Sequence, residues 1–195
     1  MIQLIFATNN QHKVDEIKSI IGNTFQIISL KDAGIDIEIP EPYFTLQENA
    51  SEKSKVIHQL TQQNCFSEDT GLEVEALNGE PGVKSARYSG EEKKFQANIN
   101  KLLNNLKDIQ NRNAQFKTVV SLILNKKEYL FEGVCKGKII EAQKGNSGFG
   151  YDPIFIPEGS NKTFAEMTME EKNLFSHRKK AIQQLTQFLS QIGKK

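Results

Sequence analysis

Short apolar runs and segments with a helical apolar stripe follow one another along the chain, and this ordering constrains the fold more than any other feature. Residues 2–7 form an apolar run typical of a buried strand, and the next segment places Val14, Ile17 and Ile21 on one face of a helix. Interspersed strands and helices predict an α/β protein with a mixed β-sheet. Further strands are predicted at residues 25–30, 72–76, 116–124 and 129–140, and further helices begin near Thr45, Phe95, Thr168 and Ser176.

Length and charge narrow the classes of protein to consider. The 195 residues fit a single domain, predicted over residues 1–195. Lys and Arg number 25 against 24 Asp and Glu, so the basic excess of a nucleic-acid-binding protein is missing and we expect no nucleic acid partner. Two cysteines make neither a disulfide framework nor a zinc site. The N-terminal segment has no basic start and no long apolar run, so we expect a cytoplasmic protein with no membrane partner.

The loop after the first strand is the first candidate site. It reads Thr8-Asn9-Asn10-Gln11-His12-Lys13 and leads into the first helix. The N–H groups and the positive dipole end of a helix N-terminus favour phosphate, and Thr8, Asn10 and Lys13 add neutral donors and a cation. The loop lacks the glycines of a Walker motif. The alternative is a capped helix with a solvated lysine.

Two adjacent acids, Glu68 and Asp69, form the second candidate site within residues 67–71. Neighbouring strand side chains point to opposite faces, so one acid can face a cleft while the other meets a different partner. Glu41 is a third acid, held between two prolines, and Mg²⁺ is typically bound through one or two carboxylates and substrate phosphates. Lys53 interrupts the apolar stripe of the second helix, where it either meets an anion or extends to water. The alternative for residues 67–71 is a turn in which Asp69 caps local N–H groups.

The glycine-rich segment at residues 145–153 is the third candidate site. Its glycines let the backbone approach a flat ligand, and the ring of Phe149 can stack on a nucleobase. Further along lie Lys172, His177 and Arg178, of which His177 and Arg178 are directed donors suited to a keto oxygen or a phosphate. The alternatives are a plain surface loop with a buried aromatic anchor and a set of solvated basic residues near helix ends.

Together these segments resemble the inosine triphosphate pyrophosphatase family, also called the non-canonical purine NTP pyrophosphatases. The resemblance runs from the first strand nearly to the C-terminus, and the order and spacing of the motifs make it specific. Three departures are Ser54 for a usual alanine, Thr70 for serine and Lys84 for an aromatic or aliphatic residue. The matching motifs are Thr8-Asn9-Asn10 with Lys13, Glu48-Asn49-Ala50 with Lys53, Ser67-Glu68-Asp69-Thr70-Gly71-Leu72, residues 78–79, 81–83 and 85–90, Gly148-Phe149-Gly150-Tyr151-Asp152-Pro153, Ala165-Glu166-Met167, Lys172-Asn173 and Ser176-His177-Arg178.

The resemblance implies a fold and an activity. The implied fold is an elongated, two-lobed α/β domain with a long curved mixed β-sheet, flanking helices and a central substrate cleft. The implied activity is hydrolysis of ITP, dITP and XTP to a nucleoside monophosphate and pyrophosphate, which keeps these nucleotides out of DNA and RNA. Members of the family are commonly homodimers.

The resemblance also implies residue roles. Asp69 is the proton acceptor, and Mg²⁺ lies between Glu41 and Asp69, although the residues themselves leave open whether Glu41 or Glu68 contacts the metal directly. The implied substrate-binding residues are Thr8, Asn9, Asn10, Gln11, His12, Lys13, Lys53 and Thr70, with Phe149, Gly150, Tyr151, Asp152, Lys172, His177 and Arg178 around the base.

Two other functions stay open at this point. The chain could hydrolyse other modified nucleotides, such as methylated pyrimidines, but His177, Arg178 and the loop of Phe149 favour purines with a keto group. It could also be a non-catalytic nucleotide sensor. The paired acids argue against a sensor, because a protein that only binds a polyanion gains little from extra acids without a metal.

Overall fold

The structure is a computed structural model that describes residues 2–21, 25–92 and 94–192. Over these residues it has seven β-strands and five α-helices. The strands are β1 (Ile2–Phe6), β2 (Phe25–Ser29), β3 (Cys65–Val74), β4 (Pro81–Gly82), β5 (Asn113–Leu124), β6 (Lys127–Ile139) and β7 (Phe155–Pro157). The helices are α1 (Gln11–Ile21), α2 (Leu46–Thr61), α3 (Phe95–Asn105), α4 (Met169–Phe175) and α5 (His177–Ile192). Short 3₁₀ turns lie at Glu75–Leu77, Ser85–Arg87, Asp152–Ile154 and Phe164–Glu166.

The strands form one sheet in the order β2-β1-β3-β5-β6-β7, with β4 beside β3. β1 is parallel to β2 and to β3, whereas the pairs β3–β4 and β6–β7 are antiparallel. Leu4, Ile5 and Phe6 are all at most 2% exposed, which explains why β1 is apolar at consecutive positions rather than alternating. The predicted α/β class with a mixed sheet is confirmed.

The sequence pattern misplaced the strand that carries the two acids. It predicted a strand at residues 72–76 preceded by a polar segment, but β3 runs without interruption from Cys65 to Val74, and residues 75–77 form a 3₁₀ turn. Eight of the ten residues of β3 are buried, including Glu68 and Asp69. Charged side chains are tolerated inside a buried strand only when partners offset them, and local patterning does not reveal such partners.

Two helix starts follow their predicted capping residues. The Glu48 N–H donates to Oγ1 of Thr45 at 3.1 Å, which caps α2. Thr168 and Glu171 form a reciprocal capping box at the start of α4. Both signals are local, because side chain and backbone partner lie three residues apart.

The chain divides into two compact units, each assembled from separate segments. The first comprises Met1–Asp69, Thr118–Gly133 and Arg178–Lys195, and the second Thr70–Lys117 and Val134–His177. In the first unit Phe6 stacks on Phe66 with ring centroids 4.4 Å apart, within a cluster that also takes in α1 and α5.

The core of the second unit is also aromatic. The rings of Phe116 and Phe155 meet edge to face at 4.8 Å, and Phe164 packs against both. The prediction of one domain over residues 1–195 stays a prediction. Among the residues described, no helix combines the length and apolarity needed to cross a membrane.

Candidate active site

The loop between β1 and α1 is held by its own polar side chains. Oγ1 of Thr8 accepts a hydrogen bond from the Asn10 N–H at 3.2 Å, and Oδ1 of Asn10 accepts from the Lys13 N–H at 3.4 Å. Nδ2 of Asn9 donates to the carbonyl of Ile37 at 2.9 Å, which ties the loop to the segment before α2. Thr8, Asn10 and Lys13 are half-buried at the start of α1, where a helix N-terminus favours an anion.

Two other predicted residues of this loop are exposed. Gln11 and His12 open α1, and Nε2 of Gln11 donates to Asp15 one turn further along at 2.7 Å. The structure thus places all six predicted loop residues together and gives them different surroundings. Their substrate contacts stay a prediction.

A buried ion-pair network lies beneath this loop. Nζ of Lys13 lies 2.9 Å from Oε1 of Glu68. Arg178 donates from Nε to Oε2 of Glu68 at 3.0 Å and from Nη2 to Oε1 at 3.2 Å, a bidentate contact, and its Nη1 donates to Glu16. Arg178 and Glu68 are each 1% exposed and Glu16 is 4% exposed. The solvated-lysine alternative for Lys13 is wrong.

The network fixes the charge of its members. Burial by itself raises the pKa of Glu68, but Arg178 and Lys13 outweigh burial and hold the pKa of this carboxyl well below its usual range. Glu68 is therefore an anion at neutral pH that binds two cations of the chain. The prediction that Arg178 donates to a nucleobase stays untested, and these contacts support a different role, which is to position Glu68.

A second cluster gathers around Lys53 of α2. Its Nζ donates to Oε1 of Glu41 at 2.7 Å and to Oδ1 of Asp69 at 2.8 Å. Burial by itself lowers the pKa of Lys53, but Asp69 and Glu41 outweigh burial, so the pKa lies above its usual value and the ammonium keeps its proton. Burial raises the pKa of Asp69, Lys53 and Lys13 oppose the rise, and Glu41 adds to it.

The two neighbouring acids of β3 meet different partners. Glu68 pairs with Lys13 and Arg178, whereas Asp69 pairs with Lys53. The prediction that adjacent strand positions send the two carboxylates to different partners is confirmed, and the alternative of a turn at residues 67–71 is wrong.

The donor set around Lys53 fits a hard divalent cation. Over the described residues no group of three or more His, Cys, Asp or Glu side chains is arranged to hold a metal ion. Mg²⁺ in phosphate-transfer sites commonly takes only one or two carboxylates, because waters and substrate phosphates supply the remaining ligands. Glu41 and Asp69, which converge from separate elements on one buried cation, match that requirement.

In the second unit, the glycine-rich loop is organised by Asp152. This carboxylate is 3% exposed, and its Oδ2 accepts from Nζ of Lys172 at 2.7 Å and from the Phe149 N–H at 2.9 Å. Gly148 has a φ of +78°, and a Cβ at this position would collide with the Asp152 carboxylate. The chain therefore needs glycine there for two reasons, backbone conformation and space.

Aromatic rings lie close to Lys172 and His177, two basic residues of the second unit. Nζ of Lys172 lies 5.3 Å from the ring centroid of Phe149 and 5.2 Å from that of Phe164. The ring of His177 stacks on Phe116 at 4.7 Å with 13° between the planes. Lys172 is 5% and His177 is 3% exposed, so the alternative of solvated basic residues is wrong.

Three predicted substrate-binding residues remain, Tyr151 and Gly150 in the glycine-rich loop and Thr70 in β3. The Tyr151 hydroxyl donates to the carbonyl of Ser85 at 2.9 Å, and burial raises the pKa of this phenol above its usual range. Gly150 has a φ of +62°, and Thr70 is half-buried directly after Asp69 in β3.

Sequence reasoning missed Glu16 and Phe116. Glu16 lies next to Ile17 in α1, where Gln11, Asp15 and Lys18 are exposed, and nothing in its neighbourhood along the chain marks it as buried. Phe116 was recognised as a strand residue only. Each acquires its role from a partner far away in sequence: Arg178 is 162 positions from Glu16.

Comparison with known proteins gives consistent matches over almost the whole chain. The sequence profile of the Ham1 family matches residues 4–188. A protein of Flavobacterium johnsoniae named dITP/XTP pyrophosphatase is 50% identical over 189 residues, which cover 97% of this chain and 98% of that protein. The solved structure of the Staphylococcus aureus Ham1 protein has a TM-score of 0.88 and 40% identity, and covers 99% of this chain and 100% of that one. The solved structure of a HAM1 protein from Coxiella burnetii has a TM-score of 0.89 and 32% identity, and the match covers 98% of this chain and 100% of that one.

Proposed function

The chain belongs to the Ham1 family, and from this membership and the site geometry we propose that it is a metal-dependent pyrophosphatase for non-canonical purine nucleoside triphosphates. Its substrates are ITP, dITP and XTP, and its products are the nucleoside monophosphate and pyrophosphate. The observation that carries the proposal is the convergence of Glu41 and Asp69 on one buried cation beside the loop that begins α1.

The loop that begins α1 and Lys53 of α2 supply the phosphate-binding groups. A triphosphate carries several negative charges that must be offset before a nucleophile can approach. Thr8 and Asn10 at the start of α1 offer donors, and Lys13 and Lys53 offer cations. Lys13 is held in place through Glu68, which Arg178 fixes from the other side.

Glu41 and Asp69 would hold Mg²⁺. A bound divalent cation supplies Lewis-acid polarisation of the phosphate oxygens. A water molecule attacks phosphorus and breaks the anhydride bond between the α- and β-phosphates. Asp69 takes the proton of this water. Its pKa is raised by burial, which brings the carboxylate closer to the basicity that a general base needs near neutral pH.

The glycine-rich loop, Lys172 and His177 supply base recognition. Phe149 offers an aromatic face, and Lys172 is fixed beside it by Asp152. His177 is a donor suited to the keto oxygen of hypoxanthine or xanthine, whereas adenine presents amino hydrogens at the same position. Donors that a wrong base leaves unpaired produce strong discrimination.

Specificity constants for ITP, XTP, GTP and ATP with Mg²⁺ test this proposal, with pyrophosphate as the measured product. We expect the specificity constants for ITP and XTP to exceed that for ATP by about ten-thousand-fold. This discrimination is typical of sites built on hydrogen bonds to the substrate. Asp69→Asn serves as the inactive control for contaminating phosphatases. Equal values for ITP and ATP contradict the proposal. A preference for methylated pyrimidine nucleotides would instead identify a pyrophosphatase for other modified nucleotides. Tight nucleotide binding without turnover would identify a non-catalytic nucleotide sensor.

We propose in addition that the protein acts in the cytoplasm on free nucleotides, without nucleic acid or membrane partners, and as a homodimer. The family resemblance supports the dimer, and the nearly balanced charge supports a small-molecule substrate. Light scattering after size-exclusion chromatography should give twice the chain mass of 22.0 kDa, and a mass of 22.0 kDa would contradict the dimer.

A further inference from the structure

Lys53 lies between the two carboxylates that the proposed function assigns to a divalent cation. Its Nζ is 2.7 Å from Oε1 of Glu41 and 2.8 Å from Oδ1 of Asp69. The residue is 5% exposed, so few waters compete for these contacts. The carboxylate pair is therefore already partly neutralised by a cation of the chain itself.

A divalent cation cannot bind these two oxygens while the ammonium stays between them. Mg²⁺ contacts its oxygen ligands at about 2.0–2.1 Å, which brings it closer to the carboxylates than an ammonium comes. Two cations on the same carboxylates repel each other, and burial strengthens this repulsion. At these two oxygens the ammonium must leave before a divalent cation binds.

We propose that Lys53 is the internal counter-ion of the metal site and that a divalent cation exchanges with its ammonium at the Glu41–Asp69 pair. This inference rests on the proposed function, which assigns the pair to a metal. Metal entry releases the Lys53 ammonium, which is then available to the phosphate groups of the substrate. Metal and phosphate therefore bind with positive coupling, whereas the metal alone binds weakly because it must first displace an ion pair.

Direct metal titration of the full chain tests the exchange. Lys53→Gln removes the charge and keeps an amide donor for one carboxylate, and Lys53→Met is a second neutral variant. Lys55→Gln is the matched control, because Lys55 lies on the same helix with its side chain 52% exposed and its Nζ 3.9 Å from Glu128. The probe is Mn²⁺ without nucleotide, followed by calorimetry and by the EPR signal of the free ion.

We expect both neutral variants to bind Mn²⁺ roughly tenfold more tightly than the wild type, within the range of ordinary coupling between sites. Lys55→Gln should match the wild type. Inorganic pyrophosphate, corrected for its own complex with Mn²⁺, should tighten Mn²⁺ binding to the wild type by a similar factor. Its effect on the Mn²⁺ affinity of the neutral variants should be smaller, since direct contacts between Mn²⁺ and phosphate remain but no ammonium is released.

Mn²⁺ affinities within about twofold of the wild type in both neutral variants would overturn the exchange, even where the wild type hydrolyses ITP. If none of the proteins binds Mn²⁺ and the wild type releases no pyrophosphate from ITP, both the metal site and the proposed function are contradicted. If a variant is too unstable for titration, its thermal unfolding with and without Mn²⁺ provides the measurement. Added Mn²⁺ should raise the melting temperature of Lys53→Gln more than that of the wild type, and an equal rise counts against the exchange.

Discussion

Replacing Arg178 with methionine tests the buried ion-pair network of the first compact unit. The guanidinium binds Glu68 through two of its nitrogens and Glu16 through a third. Methionine is flexible and apolar, and it fills part of the vacated space without replacing the charge. The variant therefore retains two buried carboxylates and loses the cation that both share, although Lys13 still contacts Glu68.

The size of the effect follows from burial. The side chains of Arg178 and Glu68 are 2% and 0% exposed, so water cannot solvate the carboxylate once its partner is removed. Removing one member of a buried pair typically costs about 3–5 kcal/mol, because an uncompensated charge stays behind. For a chain of this length, 1 kcal/mol lowers the melting temperature by roughly 2–4 °C. We therefore expect a decrease of about 6–20 °C at neutral pH.

The loss should also depend on pH, with a definite sign. In the wild type, burial raises the pKa of Glu68 but Arg178 and Lys13 lower it well below 4.5, its ordinary value. A depressed acid contributes stability that is present above its unfolded pKa and is lost as the pH falls through the folded pKa. Without Arg178, burial raises the pKa of Glu68, and protonation then relieves the buried charge. The difference in free energy of unfolding between the two proteins should thus be smaller at low pH than at high pH.

Urea denaturation at about pH 5 and about pH 8 measures this difference, within the range where such linkage acts. Arg178→Lys should recover part of the lost stability, and Lys180→Met is the control, since Lys180 is exposed on the same helix. A loss below about 1 kcal/mol, or one independent of pH, would refute the reasoning. Turnover provides a second readout. A positioning role predicts an equal loss with ITP and ATP, whereas a base-reading role predicts a narrower gap between them.

Three further predictions concern the site directly. Asp69→Asn should fold and lose about a hundred- to ten-thousand-fold in turnover, and near wild-type pyrophosphate release would exclude Asp69 as the proton acceptor. EDTA should abolish pyrophosphate release and Mg²⁺ should restore it, so full activity in EDTA would contradict the metal assignment. Gly148→Ala should displace the Asp152 carboxylate and raise KM for ITP with a smaller change in kcat, and steady-state kinetics identical to the wild type would show that the loop does not need glycine there.

Local signals in the sequence were reliable where each element depends on its own residues. β1 follows from a run of apolar residues, and α2 begins directly after Thr45, its N-cap, because the capping partner Glu48 lies three positions along. The loop between β1 and α1 was recognisable as a candidate site for the same reason, since a strand, a polar loop and a helix in succession place Thr8, Asn10 and Lys13 at a helix N-terminus.

The pattern of apolar and polar residues was less informative about the extent of β3. A buried strand with two adjacent acids contradicts the usual patterning, so residues 67–71 left a strand and a turn open as alternatives. The strand persists because each carboxylate meets a cation from another element, Lys53 for Asp69 and Arg178 with Lys13 for Glu68. Paired burial of charge is a property of the packed structure.

The sequence by itself determined the α/β class, the family and the candidate residues Glu41, Lys53, Glu68, Asp69 and Arg178, but not Glu16. Their order and spacing along the chain carry that information. Only the tertiary structure decided which side chains face one another. It assigned Arg178 to Glu16 and Glu68, and it placed Lys53 between Glu41 and Asp69. The physical reason is that these contacts join residues up to 162 positions apart, and an ion pair leaves no mark on the local sequence of either partner.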